Sequence, residues 1–227
     1  MKKKLLHKAL ALAATLACSA AFAGGGTITF NAAVPNIVTN GDTTVEDNAI
    51  VTTMGQGGFD GAIGDQGSCF LAVCPGGNST QFYAALNDGG LNVKLFESGL
   101  SMTGLDFGFV LPLDLLLDFS VGKLVVTGFN VGGGTTTISR DFDLQDALGN
   151  FNFSRWDFDS SFANGWFQSV SISSCLYDGN GDCVNPAGNQ AQFAVDNIGY
   201  LPEPGSMALV GVSLAGLLAA NRRRRSA

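Results

Sequence analysis

In the segment Asp178-Gly179-Asn180-Gly181-Asp182-Cys183, side-chain oxygens recur at alternate positions. That spacing opens a calcium loop of the D-x-N-x-D kind, in which hard oxygen ligands converge on one ion. The match then breaks: Cys183 stands where such a loop needs glycine, and Asn189 where it needs a bidentate glutamate. Asp178, Asn180 and Asp182 are thus a calcium candidate whose plain alternative is a polar turn. Calcium is the one cofactor these residues suggest, and nothing in the sequence requires it. A second candidate is Asp196, in the middle of the apolar run Gln192-Phe193-Ala194-Val195-Asp196-Asn197-Ile198. Strand alternation puts it on one face with Gln192, Ala194, Ile198 and Tyr200. A carboxylate among apolar neighbours must be hydrogen-bonded, paired or bound to an ion, and backbone N–H donors from a loop are the expected partners. A third is the group Asp141, Asp143, Asp146, Asp157 and Asp159 near Trp156 and Trp166. Paired carboxylates of this kind run glycoside hydrolysis when their separation is fixed; nothing in the spacing fixes one. Trp156, Phe158, Phe162 and Trp166 suit a sugar-stacking face, but aromatics at such density are expected to fill a core. No catalytic residue is assigned, and the chain is read as a non-enzyme.

The exclusions are sharper. The single histidine is His7, inside a stretch read as a secretory signal. The body therefore has no Ser-His-Asp or Cys-His machinery and no histidine metal ligand. Residues 1–23 combine Lys2, Lys3 and Lys4, an apolar run, and the small-x-small site Ala21-Phe22-Ala23, the three parts of a signal peptide. Between residues 24 and 201 the basic residues are four (Lys94, Lys123, Arg140, Arg155) against 18 acidic ones, a net charge of −14. Such a field repels phosphate backbones, so nucleic acid is not an expected partner. Four cysteines remain after export: Cys69, Cys74, Cys175 and Cys183. An oxidising compartment implies disulfides. Of the three connectivities, Cys69–Cys74 and Cys175–Cys183 are favoured, since each pair is close in sequence and sits among turn-forming residues.

The elements that position these groups read as strands. Residues 27–30, 81–86, 91–96, 123–130, 135–144, 166–174 and 191–200 are short β-favouring runs bounded by Gly, Asn and Asp. Asn87-Asp88-Gly89-Gly90 and Gly132-Gly133-Gly134 predict hairpins between their flanking runs. In 166–174, Trp166, Val170 and Ile172 are expected to face a core and Ser169, Ser171 and Ser173 solvent. Residues 40–78 read as loop with short strands, and Pro112 breaks the apolar stretch 107–119. Together these predict an all-β protein: a β-sandwich, jelly-roll in type, flanked by an N-terminal signal helix and a C-terminal hydrophobic helix. The domains are then 1–23, the body 24–201, and a tail 202–225.

That tail holds Pro202-Glu203-Pro204, an uncharged apolar run from Gly205 to Ala220, and Arg222, Arg223, Arg224 and Arg225. As a helix, the 16-residue run spans roughly 24 Å, short of a ~30 Å hydrocarbon core. The arginines hold the C-terminus in the cytoplasm, which agrees with a body exported by the signal peptide. In order and position the three parts resemble the PEP-CTERM sorting signal of Gram-negative bacteria. The resemblance implies recognition by an exosortase-type membrane protease, transient anchoring in the inner membrane, and delivery to the cell surface or extracellular matrix. It also implies company with exopolysaccharide and biofilm. Gln192, Phe193 and Asp196, with Asn197 and Ile198 after them, resemble a subgroup carrying Q-F-x-x-D before the signal. That subgroup implies a surface protein, with no catalytic activity to carry over. The chain is read as structural or adhesive in the extracellular matrix, with extracellular polysaccharide as a candidate partner. A carbohydrate-binding module, calcium-assisted, is the alternative reading; an acid-pair glycoside hydrolase is a distant one.

Overall fold

The computed structural model describes residues 25–69, 72–96, 99–112, 120–185 and 191–202. The two helices expected at the termini lie outside these residues. The described chain is nearly all β, as its composition predicts, and its strands form one antiparallel hydrogen-bonded network that curls on itself. Numbered along the chain, one run of neighbours is β3 (Thr43–Glu46), β4 (Ala49–Met54), β7 (Gly90–Leu95), β12 (Phe167–Tyr177), β9 (Ser120–Asn130) and β10 (Thr135–Asp141). The other is β2 (Asn36–Val38), β5 (Gly61–Gly64), β6 (Phe82–Ala85), β14 (Phe193–Pro202), β8 (Leu100–Phe109) and β11 (Ser154–Asp157). β1 (Gly26–Ile28) also pairs with β14, and β13 (Cys183–Val184) folds back on the end of β12. The pairing of Phe167 with Leu100 joins the two runs.

The curl is what alternation demands. Val51, Leu91, Val93, Leu124, Val126, Val170 and Ile172 point from the first run into the same hydrophobic cluster as Tyr83, Met102, Phe107, Phe109, Phe193 and Val195 from the second. Two half-apolar faces can leave water only by closing on each other. A second, smaller cluster lies on the opposite face of the second run: Phe82, Ala84, Leu86, Val110, Ala194 and Ala72 pack with the Cys69–Cys74 pair. β6 is therefore buried on both faces.

Both expected disulfides are present, with Cα–Cα separations of 5.9 Å for Cys69–Cys74 and 5.5 Å for Cys175–Cys183. The hairpin over Gly132-Gly133-Gly134 is also present, as β9 and β10 in continuous register from Phe129↔Thr135 to Lys123↔Asp141. The hairpin over residues 87–90 is not. Asn87 and Asp88 have φ of 53° and 59°, as a tight turn requires. Yet β6 pairs with β5 and β14, and β7 with β4 and β12. The turn is an arch from one layer to the other, because each strand finds longer partners in its own layer. Tyr83 ties the arch down: its hydroxyl donates to the Gly90 carbonyl (3.1 Å) and lies 3.2 Å from Thr53 Oγ1. Trp166 also departs from expectation. A register shift between Phe167 and Ser169 hands the core position to Phe167, which is fully buried, while Trp166 is half-buried. The stretch 40–78 carries more pairing than its composition suggests, with β3 and β4 as a regular hairpin from Thr43↔Thr52 to Glu46↔Ala49.

Replacing Tyr83 by Phe removes the arch's buried hydrogen bond and leaves its shape intact. The expected cost is about 1–1.5 kcal/mol, which for a domain of this size lowers Tm by roughly 2–6 °C. Thermal unfolding followed by circular dichroism checks this; an unchanged Tm contradicts the arch contact.

Candidate functional site

Among the described residues, Asp196 is the only charge-bearing sequence candidate that the fold buries completely. Alternation from Phe193 and Val195, which face the main core, puts it on the other face, beside Ala194 of the second cluster. The next residue, Asn197, has a φ of 48°, a left-handed conformation that asparagine adopts more readily than most residues. It breaks the alternation of β14, so that Ile198 and Tyr200 face the same core again. The expected shared face with Ile198 and Tyr200 does not exist, because the period of two is interrupted between them.

The carboxylate is held by its neighbours. Asn78 Nδ2 donates to Asp196 Oδ2 at 2.8 Å, and Thr80 Oγ1 lies 3.0 Å from the same oxygen. The Asn197 backbone N–H donates to Oδ1 at 2.7 Å. The Asn197 side chain donates to Asp106 Oδ2 at 2.7 Å. Arg155 then closes the group: Nη1 donates to the Asn197 carbonyl at 3.0 Å and sits 3.5 Å from Asp106, while Nε reaches Asp157 at 2.7 Å. Burial pushes the Asp196 carboxyl above the ordinary carboxylate range; the bonds from Asn78, Asn197 and Thr80 oppose the shift, and the Asp106 charge adds to it. The arrangement pins the segment 78–80, which follows the Cys69–Cys74 loop, onto β14 and β8. Phe193, the first residue of β14, is in the main core, and the carbonyl of Gln192 just before it accepts from Val110 N at 3.3 Å.

The other candidates are dispersed. In the 178–183 turn, Asp178 Oδ1 accepts from the backbone N–H groups of Asn180 (2.8 Å) and Asp182 (2.9 Å), so its carboxylate is turned onto its own loop. These bonds hold Asp178 below the usual range. Among the described residues, no group of three or more His, Cys, Asp or Glu side chains is placed to hold a metal ion. Asp141 accepts from the Tyr177 hydroxyl, Asp143 lies 3.9 Å from Arg140, and Asp157 pairs with Arg155. Asp146 accepts from Leu148 N and Asn150 N. Asp159 caps the short helix α1 (Ser160–Ala163), accepting from Ser161 N and Phe162 N. Trp156, Phe158 and Phe162 pack on the core as expected, in an edge-to-face and tilted chain with centroids 4.7–5.3 Å apart that Phe167, and not Trp166, completes. Pro202 ends β14, and Glu203, Pro204 and Arg222 to Arg225 lie outside the described residues. Sequence reasoning missed Asn78, Thr80, Asp106 and Arg155, which are distant in the chain from Asp196 and carry no motif. Only Asn197, next to it, lies within the quoted segment.

Residues 201–225 match the PEP-CTERM protein-sorting motif. The C-terminal tail thus carries the PEP-CTERM motif. The PEP-CTERM signal implies an exported protein, anchored transiently in a membrane and processed there by an exosortase. No curated protein matches the chain significantly. Among solved structures, TmCBM61 in complex with β-1,4-galactotriose is similar at 11% identity and a TM-score of 0.34, over 67% of this chain and 88% of that one. The enzymatically active domain of bacteriophage CBA120 tailspike protein 4 is similar at 12% identity and a TM-score of 0.27, over 74% of this chain and 19% of that one.

The raised Asp196 pKa fixes a sign. Its favourable contribution is fully present below the ordinary aspartate value and is lost as pH rises through the folded-state value. Asp196→Asn removes this titration. The stability difference between wild type and Asp196→Asn is therefore expected to shift in favour of wild type as pH falls from neutral into the acid range. Urea midpoints measured for both proteins across that range test it; a pH-independent difference overturns the assignment.

Proposed function

We propose that the mature protein is a structural or adhesive component of the cell surface or extracellular matrix of a Gram-negative bacterium, associated with exopolysaccharide and biofilm. The PEP-CTERM signal carries this reading. In it, the signal peptide exports the body and the apolar run of the tail stops in the inner membrane. An exosortase-type protease then cuts near Pro202-Glu203-Pro204 and releases a protein stripped of its arginines. The strongly acidic, disulfide-closed body suits an extracellular role and disfavours nucleic acid as a partner. The curled sheet is read as a jelly-roll-type sandwich, and the Q-F-x-x-D segment as that of the surface-protein subgroup. No catalytic role is proposed; Asp141, Asp143, Asp146, Asp157 and Asp159 are each engaged by a local partner.

Mass spectrometry of the surface form tests the sorting route. The expected C-terminus lies upstream of the apolar run; recovery of residues 205–227 on the mature surface protein overturns the processing claim. Calcium is tested separately. Asp178 Oδ1 already accepts two backbone N–H bonds, and among the described residues no group of three or more acidic, His or Cys side chains gathers at this turn. Added calcium is therefore expected to leave Tm unchanged, and a calcium-dependent rise abolished by Asp182→Asn would restore the turn as a metal site.

A further inference from the structure

A cleft of 160 Å³ separates the Cys69–Cys74 loop from the loop 146–152. Two short bridges hold its walls together, Val73 with Leu111 and Gly76 with Asn152. In them Gly76 N donates to the Phe151 carbonyl at 2.7 Å and Phe153 N to the Gly76 carbonyl at 2.8 Å. Leu111, Phe151 and Val73 supply apolar lining, and the amides of Gln66, Asn150 and Asn152 supply polar lining. Gln66 opens the 3-10 turn Gln66–Ser68, which Asp65 fixes by accepting from Ser68 N. Asn152 is fixed as well. Its Nδ2 donates to Asp146 Oδ2 at 3.0 Å, which leaves Oδ1 pointing the other way. A Cβ built on Gly76 would stand 2.7 Å from Asn152 Oδ1 and 3.7 Å from Gln66 Nε2. An acceptor and a donor thus flank Gly76 at the cleft wall, where any side chain would displace Asn152. Among the described residues the cleft lining carries no charge, and nearby Asp146 accepts from Leu148 N, Asn150 N and Asn152 Nδ2.

We propose that this cleft binds one neutral hexopyranose unit of an extracellular polysaccharide. The proposal rests on the surface-matrix reading above for the identity of the polymer, and on the cleft alone for the site. A pyranose ring has an apolar C–H face and a rim of hydroxyls that each donate and accept. Leu111, Phe151 and Val73 meet the first; Gln66, Asn152 and Asn150 meet the second. The volume lies well below the ~300 Å³ at which drug-sized pockets begin, so it takes a single ring, with the rest of the polymer outside. The uncharged rim and the acidic body select a neutral sugar over a uronate or a phosphorylated one. Asp65, Asp146 and the disulfide hold the lining residues in place beforehand, which lowers the ordering cost that weakens binding of small polar ligands.

Saturation-transfer NMR and chemical-shift titration of the mature protein, with methyl β-D-glucopyranoside and its C4 epimer as probes, test the site. Glucuronic acid serves as the charged control. At least one neutral glycoside is expected to bind, and the uronate to bind more weakly. Gln66→Ala removes an exposed side chain and is expected to raise Kd about tenfold, the worth of one neutral hydrogen bond, with Tm unchanged. Gly76→Val displaces Asn152 and should abolish binding, whereas Thr137→Ala on β10 should change nothing. Absence of binding by wild type, equal binding of the uronate, or equal affinity in wild type and Gln66→Ala overturns the cleft. None of these outcomes touches the sorting route, whose own test is the C-terminus of the surface form.

Discussion

A loop amide that has no strand partner must still find an acceptor, and in this protein the acceptor is repeatedly an aspartate. Asp60 is buried and takes the N–H groups of Asn40, Gln56 and Gly57. Asp42, Asp65, Asp146, Asp159 and Asp178 do the same in five other loops. The acidity that looks in the sequence like a surface field is thus in good part the means by which the connections are ordered. It also separates two classes of carboxylate. Hydrogen bonds hold Asp65, Asp146, Asp159 and Asp178 below the usual range, so their contribution is present above the ordinary aspartate value and lost on acidification. Burial pushes Asp196 the other way.

This ordering of loops is coupled to the layering of the sheet. The second run carries apolar side chains on both faces, and its outer face is covered by the Cys69–Cys74 loop. The segment after that loop is anchored by the Asp196 group through Asn78 and Thr80. The same loop forms one wall of the 160 Å³ cleft, so the disulfide, the buried carboxylate and the cleft belong to one construction on one side of the protein. Its opposite number, the outer face of the first run, is built differently. There Thr52, Asn92, Ser171, Thr127 and Thr137 pair across successive strands as a row of small polar residues.

Address and body are read by different physics. The PEP-CTERM signal works as a linear string: a proline-flanked glutamate, an apolar stretch of marginal length, and a cationic stop. The body works through distances between residues far apart in the chain. This is why the tail speaks clearly of export while the body speaks of function only through its surface.

The sequence by itself determined the β class, the disulfide pairs, the β9–β10 hairpin and the sorting signal. Each of these depends on neighbours in the chain: alternation, turn residues, short cysteine spacing, or a linear motif. Only the tertiary structure decided the rest. The turn at residues 87–90 has hairpin chemistry, yet it became an arch because β6 and β7 found better partners in opposite layers. Trp166 lost its core position to Phe167 through a register shift that no local pattern marks. Asp196 was recognisable as a buried carboxylate. Its partners were not: Asp196 keeps the face of Ala194 while the left-handed Asn197 returns Ile198 and Tyr200 to the core, and the carboxylate meets Asn78 and Thr80, more than a hundred residues away.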